Sequence, residues 1–113
     1  MNKLTNLHCE KVSENTPRLS DKEMNQLILD LTGWNTHQKE SELRLYKVFE
    51  FKDFDQAAVF TSKVAQIAGE EDHHPAILTE WGRVTVTWWT HKIKGLHKND
   101  FIMAAKTDQL YVK

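Results

Sequence analysis

Two adjacent imidazoles, His73 and His74, stand in the stretch Glu70-Glu71-Asp72-His73-His74-Pro75, and a third, His91, follows downstream. Imidazole suits proton transfer near neutral pH, because its unperturbed pKa is about 6.5. Two or three such rings around one ligand can divide the work, one held protonated as acid and another neutral as base. Neighbouring cationic forms repel, which splits their titrations and favours that division. Asp100 or Asp72 can orient one ring and set its tautomer. The plainer alternative is that these are isolated surface or capping histidines. A pair followed by proline, with His91 at the far end of a hairpin, weighs toward a shared pocket.

Three ring nitrogens are also what a zinc site needs. Adjacent residues on an extended chain point to opposite faces, so one ion captures both His73 and His74 only awkwardly. Neither a His-x-His nor a His-Glu-x-x-His spacing occurs, and the single cysteine, Cys9, lies far away. The residues therefore imply no metal. Cys9 has no activating neighbour and is given no catalytic role. Trp88 reads as core, whereas Trp89 falls on the opposite face beside His91. Trp81, next to Gly82, is either a hairpin-end contact or a pocket wall. Trp34 is a core anchor or a stacking surface for a flat heterocycle. His8, His37 and His97 read as surface residues, His97 being at best a weak helix cap.

The elements that must position these groups follow from periodicity. Met1 to Leu19 shows no period and reads as an extended, partly mobile arm. Ser20-Asp21-Lys22-Glu23 matches a capping box, and Met24, Leu27, Ile28 and Leu31 then give one apolar helical face that Gly33 is expected to close. Trp34 to Lys39 reads as a short exposed strand. Glu42 to Phe51 reads as a better one, with Leu43, Leu45, Phe49 and Phe51 on one side and Lys47 as a snorkelling break or bend. Asp53 or Asp55 caps a second helix carrying Ala57, Phe60, Val64, Ile67 and Ala68, and Gly69 is expected to end it.

Pro75 forbids further helix and biases His74 toward an extended backbone. Ala76 to Trp81 and Arg83 to His91 form a second hairpin around Gly82, with Val84, Val86 and Trp88 on one face and Thr85, Thr87, Trp89 and His91 on the other. A third helix runs from about Lys98 to Tyr111, with Asp100 in its first turn, where a carboxylate suits the helix dipole. Paired strands interleaved with helices predict an α+β fold, an antiparallel sheet with helices on one face.

Bulk properties narrow the function classes. The chain has 113 residues, 27% of them charged, with a formal net charge of -1, so it is one domain with no basic patch for nucleic acid. No apolar run reaches the roughly 20 residues of a membrane span. The N-terminus lacks the apolar core of a secretory signal, and one cysteine cannot form an internal disulfide; both readings fit the cytoplasm. No P-loop, dinucleotide fingerprint or nucleophile elbow occurs.

His73-His74-Pro75, the aromatic Trp81, His91 and Asp100 together resemble the signature of the pterin-4a-carbinolamine dehydratases. Gly33-Trp34 and Phe49-Glu50-Phe51-Lys52-Asp53-Phe54, followed by Ala57 and Phe60, add to the likeness, which runs from about Leu19 to Val112. The resemblance implies a four-stranded antiparallel sheet with three helices on one face, in the order α-β-β-α-β-β-α, over residues 20–113. It implies elimination of water from a 4a-hydroxytetrahydropterin to give the quinonoid dihydropterin, with the pterin as substrate and no cofactor or metal. The substrate is left by aromatic amino acid hydroxylases, and members assemble as homodimers or homotetramers.

Carried over by position, His73 and His91 are the principal acid–base groups and His74 assists. Asp100 holds a catalytic ring or its loop. Asp72 and the main chain at His73 to Pro75 and at Thr90, Lys92 and Ile93 hold the pterin edges, and Trp34 walls the pocket. One departure is Gly69, four residues before the first histidine, where the family usually carries a polar group. Two other readings stand beside the enzyme. One is a binding module, since some animal members stabilise the dimer of a homeodomain transcription factor. The other is a pterin-handling protein with a different substrate.

Overall fold

In the computed structural model, which describes residues 3–111, the expected order of elements is realised: α1 (Asp21–Ile28), β1 (Asn35–Lys39), β2 (Glu42–Glu50), α2 (Phe54–Glu71), β3 (Ala76–Glu80), β4 (Arg83–Trp88) and α3 (Lys98–Leu110). The four strands pair antiparallel in the spatial order β1-β2-β4-β3. The fold is therefore α+β, with three helices and one antiparallel sheet.

Side-chain alternation decides which sheet face is covered. Leu45 and Phe49 of β2 and Val84, Val86 and Trp88 of β4 are buried on the inner face, where α2 packs on β3 and β4 and α3 on β2 and β4. On the outer face Val48, Thr85 and Leu78 line up across three strands, and both Val48 and Leu78 remain exposed. α2 contributes Ala57, Phe60, Val64 and Ala68 to the core. α1 buries no residue fully but lays Met24, Leu27 and Ile28 against the same cluster. Lys47 snorkels, as its interruption of the apolar face suggested, donating to the Thr32 carbonyl at 2.9 Å and to Asp108 at 3.0 Å.

Several boundaries differ from the sequence expectation. The Ser20–Glu23 capping box forms, but α1 ends at Ile28, and Gly33 (φ +88°) serves the turn into β1 instead of closing the helix. Asp53, rather than Asp55, caps α2 by accepting the Gln56 N–H at 2.8 Å. That helix runs through Gly69 to Glu71, and it is Asp72 (φ 51°) that takes the left-handed closing position. Gly69 does not end α2 because the return bonds from Asp72 and His73 reach the Gly69 and Ala68 carbonyls, one turn later than expected. β4 stops at Trp88, so His91 is not on the strand but opens a 3-10 turn, His91–Ile93.

Residues 3–19 pack along the domain. A 3-10 turn at Lys3–Asn6 lies against α3, Leu4 is buried in the core, Lys106 donates to the Thr5 carbonyl, and Leu19 donates to the Leu96 carbonyl. No helix among the described residues is long and apolar enough to cross a membrane.

Candidate active site

The end of α2 delivers the first two imidazoles. With Asp72 left-handed, the Asp72 and His73 amides close the helix and the chain turns sharply before Pro75 starts β3. This throws His73 toward the N-terminus of α3 and leaves His74 exposed. The third imidazole comes from the loop after β4. Thr90 and Gly95 pair through both backbone groups, which closes a small loop that carries His91 and Lys92 on its exposed side and buries Ile93.

Asp100 joins these elements. Its carboxylate is fully buried, yet it sits one turn into α3 with a donor at every point of approach. Oδ1 accepts from His73 Nε2 at 2.6 Å, and Oδ2 accepts from the Thr90 hydroxyl at 2.8 Å and the His97 amide at 2.9 Å. Since an ionised carboxylate only accepts, His73 carries its proton on Nε2, and Nδ1 is the nitrogen left for a ligand. The ring is further fixed by stacking on Trp88, at 5.8 Å and 7° between planes. Trp88 is itself held by its indole N–H on the buried Thr107 hydroxyl at 3.2 Å.

His97, expected on the surface, is buried and is the true cap of α3. Its Nδ1 accepts the Asn99 amide at 3.0 Å while Asp100 accepts the His97 amide, a capping box built from histidine and aspartate. Its burial follows from that geometry, because a cap residue of a helix start buried in the core is buried with it.

His73, His74 and His91 share one cavity of about 710 Å³, together with Asp72, Thr90 and Lys92. Trp89 forms its apolar side. The Trp89 ring is buried, lies 4.6 Å from the His91 ring, and carries the Arg44 guanidinium 3.9 Å above it. Asp100 stands behind the cavity wall instead of lining it. Three predicted residues are not brought to the cavity wall. Trp34 is a core residue whose indole N–H donates to Asp108 at 3.0 Å. Ile93 and Pro75 also lie off it, Ile93 buried with its carbonyl accepting from Arg18. Trp81 is exposed at the hairpin tip.

Of the remaining wall only Glu71, close to the Gly69 position where the family usually carries a polar group, had a place in the sequence reading. Cys9, Glu10, Lys11 and Val12 of the N-terminal segment line the cavity, as do Glu71 and Asn99. Their partners lie far apart in sequence, so no spacing pattern could have shown them. Burial, then the charges of Glu71 and Asp100, push the Cys9 thiol up to about 12 against the opposing pull of Lys106, which leaves it protonated and inert. No group of three or more histidine, cysteine, aspartate or glutamate side chains among the described residues is placed to hold a metal ion.

A buried carboxylate that locks one imidazole, beside two further imidazoles in a shared cavity, is an arrangement that can carry acid–base chemistry on a small α+β scaffold. Comparison with known proteins gives the arrangement its family. The family model described as pterin 4 alpha carbinolamine dehydratase matches residues 17–110, so this chain belongs to the pterin-4a-carbinolamine dehydratase family. A crystal structure of a transcriptional coactivator/pterin dehydratase from Brucella melitensis is similar at 34% identity and TM-score 0.74, over 83% of this chain and 98% of that one. A pterin dehydratase-like protein identified as a RuBisCO assembly factor in the alpha-carboxysome is similar at 24% identity and TM-score 0.58, over 69% of this chain and 88% of that one. At that identity the second likeness is one of fold.

Proposed function

We propose that this protein is a 4a-hydroxytetrahydropterin dehydratase working by histidine acid–base catalysis. The observation that carries the reading is the 2.6 Å contact of His73 with the buried Asp100, at the edge of a cavity that also holds His74 and His91. In the reaction the C4a–O bond breaks, N5 loses its proton, and the electron pair of N5–H forms the C4a=N5 bond. The products are water and the quinonoid dihydropterin. Hydroxide is a poor leaving group, so the oxygen needs a proton as it departs.

His73, with Nε2–H committed to Asp100, presents an unprotonated Nδ1 and takes the N5 proton. The carboxylate behind it offsets the positive charge that the ring then acquires. His91, assisted by His74, gives its proton to the leaving oxygen. Exchange with water returns both rings to their starting states. Thr90 and Lys92 on the loop, with Asp72 and the backbone at His73, hold the pterin edges, and Trp89 offers its ring beside His91.

The substrate is what an aromatic amino acid hydroxylase leaves behind, and the reading places the protein beside such an enzyme in the cytoplasm. We assign the uncovered sheet face, with Val48 and Leu78, to assembly as a homodimer or homotetramer, which sedimentation velocity tests. For the activity, the test is dehydration of chemically generated 4a-hydroxytetrahydropterin, followed by the absorbance of the quinonoid product. A rate well above spontaneous loss of water supports the reading, and folded protein no faster than background refutes it.

A further inference from the structure

We infer that the arm segment Cys9–Val12 is a substrate-facing wall of the cavity and sets how tightly the pterin is held. The segment lies outside residues 17–110, the part shared with the family, yet it lines the same cavity as His73, His74 and His91. The inference rests on the dehydratase reading and adds to it a specificity element outside the matched residues.

Two side chains clasp the segment, each next to the catalytic groups in sequence. Asn99, the neighbour of Asp100, is 2% exposed, and its amide is spent on the arm: Oδ1 accepts the Glu10 N–H at 3.0 Å and Nδ2 donates to the Glu10 carbonyl at 2.8 Å. With the arm docked this amide has both its donor and its acceptor satisfied inside the protein. Glu71, two residues before His73, accepts the Cys9 N–H at 2.8 Å through Oε1 and pairs with His8 at 2.7 Å through Oε2. Further along, Lys92 of the histidine loop donates to the Val12 carbonyl at 3.3 Å, and His97 Nε2 lies 3.3 Å from the Glu10 carboxylate. With Leu4 anchored in the core, the arm is tied at both ends of the stretch that faces the cavity.

A docked wall built this way acts on binding more than on proton transfer, because neither Asn99 nor Glu71 touches a catalytic ring. It also carries its own reporter. Only a thiolate alkylates, and the docked Cys9 thiol is shielded from ionising, so iodoacetamide modifies it slowly until the arm lifts.

The experiment compares wild type, Asn99→Ala, Glu71→Ala and Glu71→Gln in Cys9 alkylation and in steady-state dehydration. Asn99→Ala and Glu71→Ala should speed alkylation and raise KM roughly tenfold, as loss of a charged or paired hydrogen bond does, with kcat nearly unchanged. Glu71→Gln removes the same charge beside the Cys9 thiol but keeps an acceptor for the Cys9 amide, so it should recover most of the affinity, and arm lifting in Glu71→Ala is read as alkylation faster than in Glu71→Gln. Glu71→Ala, at a half-buried position, keeps the test decisive if Asn99→Ala fails to fold. Faster alkylation with an unchanged KM overturns the inference and leaves the dehydratase reading intact. Unchanged alkylation in both alanine variants overturns the clasp. A wild type no faster than the spontaneous reaction overturns both readings together.

Discussion

Replacing Asp100 by asparagine alters one atom's chemistry at the centre of the site. The wild-type carboxylate receives three donors: His73 Nε2–H on Oδ1, and the Thr90 hydroxyl and His97 amide on Oδ2. An asparagine amide must present its NH2 group to one side or the other. Facing Oδ2's partners, it meets the His97 N–H, which cannot turn away, and the cap of α3 is lost. Facing His73, it forces the ring to accept at Nε2 and move its proton to Nδ1, the nitrogen proposed to take the proton from N5.

The first arrangement sets a buried donor against a donor, at about 1–3 kcal/mol in a protein whose total stability is on the order of 5–15 kcal/mol, and the second avoids that clash only by taking the wrong tautomer. The activity cost is larger than the volume change would suggest, because the wrong tautomer removes the general base, worth roughly 10²–10⁴ in rate. Urea unfolding should show a lower midpoint with an unchanged slope. The initial dehydration rate, measured where the variant is fully folded, should fall at least ~10²-fold. A variant within about 0.5 kcal/mol of wild type in stability and with near-normal kcat would refute the role given to Asp100.

Other expectations follow from the same contacts. Thr107→Val keeps the shape of the side chain but strands the buried Trp88 indole N–H, so stability should fall by about 1–3 kcal/mol in urea titration while kcat changes little. Gly69→Ala should raise the unfolding free energy by about 1 kcal/mol in urea titration, since the position is helical and a methyl group there meets nothing within 4 Å. Desolvation opposes ionisation of Glu71, but the Cys9 amide, His8 and Lys106 outweigh it and hold its carboxyl below the ordinary 4.5. A lowered folded-state pKa means that this contact's contribution is complete above 4.5 and fades as the pH falls through the lower folded value. The Cys9 amide resonance should therefore titrate with a midpoint below 4.5, and a midpoint above it would contradict the contact.

Local chemistry was legible in the sequence where its partners are close in the chain. Ser20 and Glu23 form the capping box that their spacing implies, Asp53 caps α2, and the alternation of Leu45, Phe49, Val84, Val86 and Trp88 identifies the inner sheet face. Helix ends were harder to read, because a glycine signals a left-handed position only when the return hydrogen bonds reach it. Gly69 sits mid-helix, and Asp72 accepts the strained φ instead. The three imidazoles were expected to meet because a hairpin returns its ends, and they do line one cavity, although His91 arrives from a 3-10 turn. His97 looked like a surface residue since nothing local marks a buried cap. The clasps of Cys9 and Glu10 to Glu71 and Asn99 span most of the chain and leave no periodic trace.

The central claim, that His73 and His91 divide the proton transfers of a dehydration, is tested most directly by comparing His73→Ala and His91→Ala with wild type on 4a-hydroxytetrahydropterin. His37, exposed on the edge strand and away from the cavity, provides the control as His37→Ala. Each active-site variant should lose ~10²-fold or more of the rate above background while the control keeps its activity. Folded His73→Ala and His91→Ala proteins that dehydrate the pterin as fast as wild type would contradict the account.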